Sequence, residues 1–243
     1  MRIVLTLAIA ISCLNVSAQA VLVPGSPAIQ QQYINSEITQ MNWYVMKGNE
    51  RLPIGNVFTQ FIRNGKQLMV ITTVKMKQFT SAWTDTTIAE LPSLKPVYHS
   101  SHNSQRDMAL NFGQVVTGYY YDLMKKENTT ISDTTHTAYF DSNLYPAIVR
   151  WLPIRNGYTA SLAIYDYNPR GKVGVLKATI QSVTQDSIVM PKSGKQYVWA
   201  VKVVDEIAEG SASTYYVDPV TRRLLRQDIK IPGRLMVMEL EEQ

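Results

Sequence analysis

The stretch Lys195-Gln196-Tyr197-Val198-Trp199-Ala200-Val201-Lys202-Val203-Val204 decides the fold class. Its middle is β-branched and aromatic, the composition of a strand. Side chains alternate across a strand, so Tyr197, Trp199, Val201 and Val203 share one face, and Val198, Ala200 and Val204 share the other. Both faces are apolar. A sheet with one face in water alternates apolar and polar residues, so this strand needs cover on both sides. Leu68 to Met76 makes the same demand, with Leu68, Val70, Val74 and Met76 on one face and Met69 and Ile71 on the other.

Outward from that stretch, most of the chain alternates. Val57 to Arg63 and Leu68 to Lys77 are separated by Asn64-Gly65, a strong hairpin signal. Gln114 to Tyr121, Tyr158 to Tyr165, Val173 to Val183, Ala212 to Val217, Arg223 to Ile231 and Leu235 to Leu240 read as further strands. Short runs punctuated by turn residues indicate an antiparallel β protein. Ser100 to Asp107 is the most loop-like polar segment.

Two segments read as helix. Ser26-Pro27 is a good cap and first position for Ala28 to Met41. The second follows Asp141-Ser142 and carries Leu144, Ile148, Trp151 and Leu152 at helical spacing. Pro146 fits its first turn and Pro153 ends it. Two short helices cannot cover a flat sheet of many strands. The sequence therefore predicts a mainly β domain, a strongly curved antiparallel sheet forming an open half-barrel, with one or two short helices across its concavity. On this reading Leu144, Ile148, Trp151 and Leu152 of the helix, with Trp199 and Val201 of the two-faced strand, line the cavity.

Residues 1–20, MRIVLTLAIAISCLNVSAQA, have the layout of a secretory signal peptide: Arg2, an apolar run from Ile3 to Ile11, then small residues. Cleavage after Ala18 or after Ala20 fits the pattern. Cys13 follows a poor version of the bacterial lipobox, so a lipid anchor through Cys13 is the alternative. The apolar run is too short to span a membrane. Residues 21–243 then form a single β-rich domain without cysteine, large enough to bury a core without disulfides. The expected location is the periplasm. The formal net charge is +5, dispersed rather than striped. Lys125-Lys126 and Arg222-Arg223 are the densest pairs and read as solvated charge. This pattern excludes a nucleic-acid surface.

No catalytic constellation stands out. His99 and His102 lie three apart, a spacing that puts them on opposite faces of a strand, and His136 is remote. Surface or loop histidines are expected, with no metal. There is no G-x-S-x-G elbow and no phosphate loop. Asp205, Glu206 and Glu209 end an apolar strand before Gly210, the place of a solvated turn. Trp43, Trp83, Trp151 and Trp199 serve a core or a largely apolar ligand cavity. No cofactor is implied.

The order of features resembles a known group. Trp43-Tyr44-Val45 opens a strand before the first hairpin, and Leu94-Lys95-Pro96-Val97-Tyr98 leads into a polar strand, His99 to Arg106. Asp141-Ser142 through Leu152-Pro153-Ile154 is a capped segment. Tyr215-Tyr216-Val217-Asp218-Pro219-Val220-Thr221-Arg222-Arg223-Leu224-Leu225-Arg226 is a strand–turn–strand. This is similar to an uncharacterised family of exported β-rich domains of Gram-negative bacteria, related in fold to the lipoprotein carriers LolA and LolB. The resemblance implies an open half-barrel with helices across its mouth and an apolar cavity, which the carriers use for acyl chains. It assigns no ligand-specific residue. The expected function is a non-enzymatic envelope protein binding a lipid or lipoprotein-like ligand. The alternative is a structural or interaction module that meets another envelope protein. A polysaccharide hydrolase rests on location alone.

Overall fold

A computed structural model describes residues 21–242. The signal-peptide reading, its cleavage sites and Cys13 lie outside these residues. β1 (Val21–Leu22) precedes a 3₁₀ turn at Gln31–Tyr33. There follow β2 (Glu37–Lys47), β3 (Glu50–Asn64), β4 (Gln67–Met76), β5 (Trp83–Glu90), β6 (Pro96–His102), β7 (Arg106–Asn111), β8 (Val115–Asp122) and β9 (Glu127–Thr134). β10 (Phe140–Asp141) leads into α1 (Tyr145–Trp151), the single α-helix among the described residues. β11 (Ala160–Tyr167), β12 (Val173–Met190), β13 (Gly194–Asp205), β14 (Ala212–Val217), β15 (Leu224–Ile231) and β16 (Arg234–Leu240) complete the chain.

All these strands belong to one sheet, ordered β1-β11-β12-β13-β14-β15-β16-β2-β3-β4-β5-β6-β7-β8-β9, with β10 also paired to β11. The β16–β2 ladder joins the two halves of the chain. Among the described residues no ladder joins β9 back to β1 or β11, so the sheet they form is open. Its curvature follows from which strands share a core. Phe61 and Val70 of β3 and β4 pack in one cluster with Leu162, Ile180, Val201 and Tyr215 of β11 to β14, around Ile148 and Trp151 of α1. A second cluster joins Met108, Leu110 and Tyr120 of β7 and β8 to Ala163 and Tyr165 of β11. Strands so far apart in the order meet only if the sheet curls. The Tyr165 hydroxyl also donates to Asp133 Oδ2 at 3.0 Å, linking β11 to β9.

The two-faced strand is β13, and different partners cover its faces. Val201 and Val203 are buried in the main cluster with Trp199 packed against it. Val198 is buried in a separate cluster with Ile188, Met190 and Leu240. Tyr197 escapes both and is 73% exposed. The Asn64-Gly65 hairpin forms as expected, with Gly65 at φ 55°, and each sequence-predicted strand lies largely within an observed one.

Two expectations are corrected. Ala28 to Met41 is not a helix: it holds the 3₁₀ turn and the first residues of β2. The β3 ladder pairs Glu37 to Met41 residue by residue, and β16 joins from Met41 onward, which outweighs the local helical signal. Ser100 to Asp107 is not a loop: it ends β6 and begins β7, and only Asn103 to Gln105 turn. Asn103 Oδ1 secures that turn, accepting from the backbone N–H groups of Gln105 at 2.8 Å and Arg106 at 3.0 Å. The second helix exists as α1, but its N-cap is Leu144 rather than Asp141 or Ser142.

Candidate functional site

The concave face changes character across the sheet. One row of cross-strand partners runs Phe61, Val70, Thr87, His99, Leu110 from β3 to β7. It is apolar at β3 and β4, polar at β5 and β6, and apolar again at β7. α1 sits over the apolar part, with the Trp151 ring edge-on to Phe61 at 5.9 Å.

Between α1 and strands β2, β3, β4, β15 and β16 lies a cavity of about 280 Å³. Met41, Val57, Phe61, Val70, Leu224 and Met238 form its apolar walls, and Glu37, Asn143, Arg150 and Gln227 supply polar groups. Arg150 is the main anchor. Its guanidinium pairs with Glu37 Oε1 and donates to the Arg222 carbonyl at 3.1 Å. It stacks over Phe61 at 5.0 Å and Trp151 at 5.4 Å. Burial, with the nearby Arg223 charge, pushes its pKa down to about 10, so it stays cationic at neutral pH. A buried cation with one carboxylate partner beside apolar walls suits an amphipathic ligand.

Asn143 also lines a second cavity of about 280 Å³, which holds Asp85, His99, Arg106, Asp141 and Asp166. His99 Nδ1 lies 2.9 Å from Asp141 Oδ2, and Thr87 Oγ1 donates to the same oxygen at 2.5 Å. Asn143 Nδ2 donates to Thr87 Oγ1 at 3.2 Å. Burial alone would lower the His99 pKa. The charge and hydrogen bond of Asp141, aided by Asp85 and opposed by Arg106, outweigh it and leave the pKa raised. Burial raises the Asp166 pKa, against a hydrogen bond from Ser142 at 2.7 Å. Among the described residues no His, Cys, Asp and Glu group could hold a metal ion.

The six residues expected to line a cavity sit elsewhere. Leu144, Ile148, Trp151, Leu152 and Val201 are fully buried in the main core, and Trp199 packs against it. None lines the cavity under α1. The helix turns that apolar stripe into the core and presents the stripe Asn143, Pro146, Ala147, Arg150 to the cavity. These four recur at i, i+3, i+4 and i+7, a signal present in the sequence but masked by the stronger apolar stripe beside it.

The histidines divide. His102 faces away from His99 and pairs with Asp107 at 2.8 Å, and His136 is exposed. His99 is buried, contrary to the surface expectation, because β10 carries Asp141 over β6. Arg222 is likewise buried rather than solvated, at φ 62° and stacked over Tyr33 at 5.2 Å. Glu206 and Glu209 are exposed as expected, whereas Asp205 accepts a hydrogen bond from the Tyr145 hydroxyl at 2.6 Å.

Among the described residues, fold and cavity define a mainly β domain built on one open, curved sheet with a single helix over its concave face. The chain belongs to the family described as Protein of unknown function (DUF3108), which matches residues 40–241. No curated protein and no solved structure matches the chain. No helix among the described residues is long and apolar enough to cross a membrane.

Proposed function

We propose that this chain is an exported, non-enzymatic envelope protein whose half-barrel, similar to that of LolA and LolB, binds a hydrophobic or amphipathic ligand. One observation carries the reading: an apolar cavity under α1 with Arg150, Glu37, Asn143 and Gln227 at its edges. Apolar walls with a few convergent polar groups are the usual make-up of a small-molecule site. The periplasm, or a membrane anchor through Cys13, is the proposed location.

The fluorescent probe N-phenyl-1-naphthylamine and native mass spectrometry of gently purified protein test this. The expected result is probe fluorescence that a co-purifying or added lipid displaces. Ala147→Phe, which fills the cavity from the helix, is expected to weaken probe binding by about tenfold. Wild-type protein that neither binds the probe nor carries lipid sinks the reading. It would then favour a structural or interaction module of the envelope. The observation supporting that second reading is the part of the concavity already filled by Leu144, Ile148, Trp151 and Leu152.

A further inference from the structure

Trp83 and Arg106 line a third cavity, of about 330 Å³, next to the His99 pocket. Its size falls at the low end of the ~300–1,000 Å³ range of small-molecule sites. Trp83 is held from two sides. Its Nε1 donates to Asp85 Oδ1 at 2.7 Å and Ser101 Oγ at 3.1 Å, and the Arg106 guanidinium stacks on its ring at 5.5 Å. Arg106 is itself tied to Ser101 Oγ at 3.0 Å. The indole is thus fixed in place, yet remains 36% exposed, beside Phe79 at 53%.

The polar part of this lining has a single bias. It contains no carboxylate. Asn103 Oδ1 is committed to its own turn, and Asn168 Oδ1 accepts from the Arg170 backbone N–H at 3.0 Å. In each asparagine of the lining the oxygen is thus engaged, which leaves the NH₂ group as its remaining donor. Gln105 adds a third amide, and Arg106 makes no ion pair among the described residues. A lipid tail would strip water from these donors without replacing its hydrogen bonds, which is costly. A cationic ligand meets no counter-charge. A ring with apolar C–H faces and many acceptor oxygens satisfies both the exposed aromatics and the donors.

We propose that this cavity is a carbohydrate site, in which a pyranose packs against the exposed Trp83 and Phe79 side chains while its hydroxyl oxygens accept from Asn103, Gln105, Asn168 and Arg106. The site is separate from the cavity under α1 and does not depend on lipid binding. Isothermal titration and tryptophan fluorescence of the full domain, with triacetylchitotriose, maltotriose and trigalacturonate as probes, test it. At least one trisaccharide is expected to bind and to shift the tryptophan emission. Trp83→Ala is expected to weaken that binding by about tenfold or more. Asn168→Asp keeps an oxygen to hold the turn and replaces the NH₂ donor with a charged acceptor, and is expected to weaken binding of the neutral sugars by about fivefold or more. Circular dichroism confirms that both variants stay folded, and if Trp83→Ala does not, Asn168→Asp decides. The proposal is overturned if none of the three sugars binds at millimolar concentration. Binding that the folded variants leave unchanged also overturns it.

Discussion

His99 Nδ1 and Asp141 Oδ2 lie 2.9 Å apart with both side chains almost fully buried, and this contact fastens strand β6 to the short β10 that precedes α1. It ties the sheet to the segment that carries the helix. The charged imidazole is favoured here although burial opposes it, because Asp141 and Asp85 together outweigh that cost and the opposing Arg106.

The sign of the pH dependence follows. The folded His99 pKa is raised above 6.5, so the pair's extra stability is fully present below about pH 6.5 and fades as pH rises through the folded value. Urea unfolding of wild type and His99→Asn, between about pH 6 and pH 9, reads this. The difference is expected to be about 1.5–3 kcal/mol at the acid end, the usual worth of a hydrogen bond to a charged group, and to shrink toward the alkaline end. A pH-independent difference contradicts the charged pair.

Asp166 lowers stability in the same direction of rising pH, but through the cost of its own charge. Burial raises its pKa despite Ser142, Arg106 and His99, so its ionised form costs stability at neutral pH. Asp166→Asn keeps an acceptor for Ser142 Oγ and removes the charge. It is expected to raise the thermal midpoint at pH 7 by a few degrees, a gain on the order of 1 kcal/mol, and to have less effect near pH 4. A lower midpoint at pH 7 counts against this account.

Glu37→Gln leaves the Arg150 guanidinium buried without its carboxylate. Breaking a buried pair from one side costs about 3 kcal/mol. Arg150→Met, which removes the charge and keeps much of the packing, is expected to cost less than Glu37→Gln. The reverse ranking in denaturant unfolding means that Arg150 acts through its stacking on Phe61 and Trp151 rather than through its charge.

Gly55 sits opposite Met76 where β3 crosses a bulge in its ladder with β2. A Cβ there would run into the backbone carbonyl oxygen of Lys75. Backbone cannot swing aside as a flexible side chain can, so Gly55→Ala is expected to cost about 2 kcal/mol or more. Gly65→Ala, with open space around its Cβ, is expected to cost about 1 kcal/mol through its positive φ. Equal melting temperatures for the two variants would refute the steric argument.

Trp151 is fully buried and meets Phe61 edge-on. Trp151→Ala is expected to cost about 3–5 kcal/mol, and Trp151→Asp to prevent folding. A folded Trp151→Asp protein by circular dichroism would place this side chain outside the core.

Local order was legible in the sequence by itself. β13 announced two-sided burial through Val198 on one face and Val201 and Val203 on the other. The Asn64-Gly65 hairpin and the short helix ending before Pro153 followed from turn chemistry and apolar spacing, because these depend on neighbours a few residues away. Tertiary structure alone decided what covers each face. Residues 28–41 carry a helical signal, but residues 37–41 instead begin β2, because the long β2–β3 ladder runs through them. The fully apolar stripe of α1 went to the core, so its quieter neighbours Asn143, Ala147 and Arg150 face the cavity. His99 became buried because Asp141, distant in sequence, folds over it. Pairing energy and burial are set by partners distant in the chain, and no local pattern encodes which partners those will be.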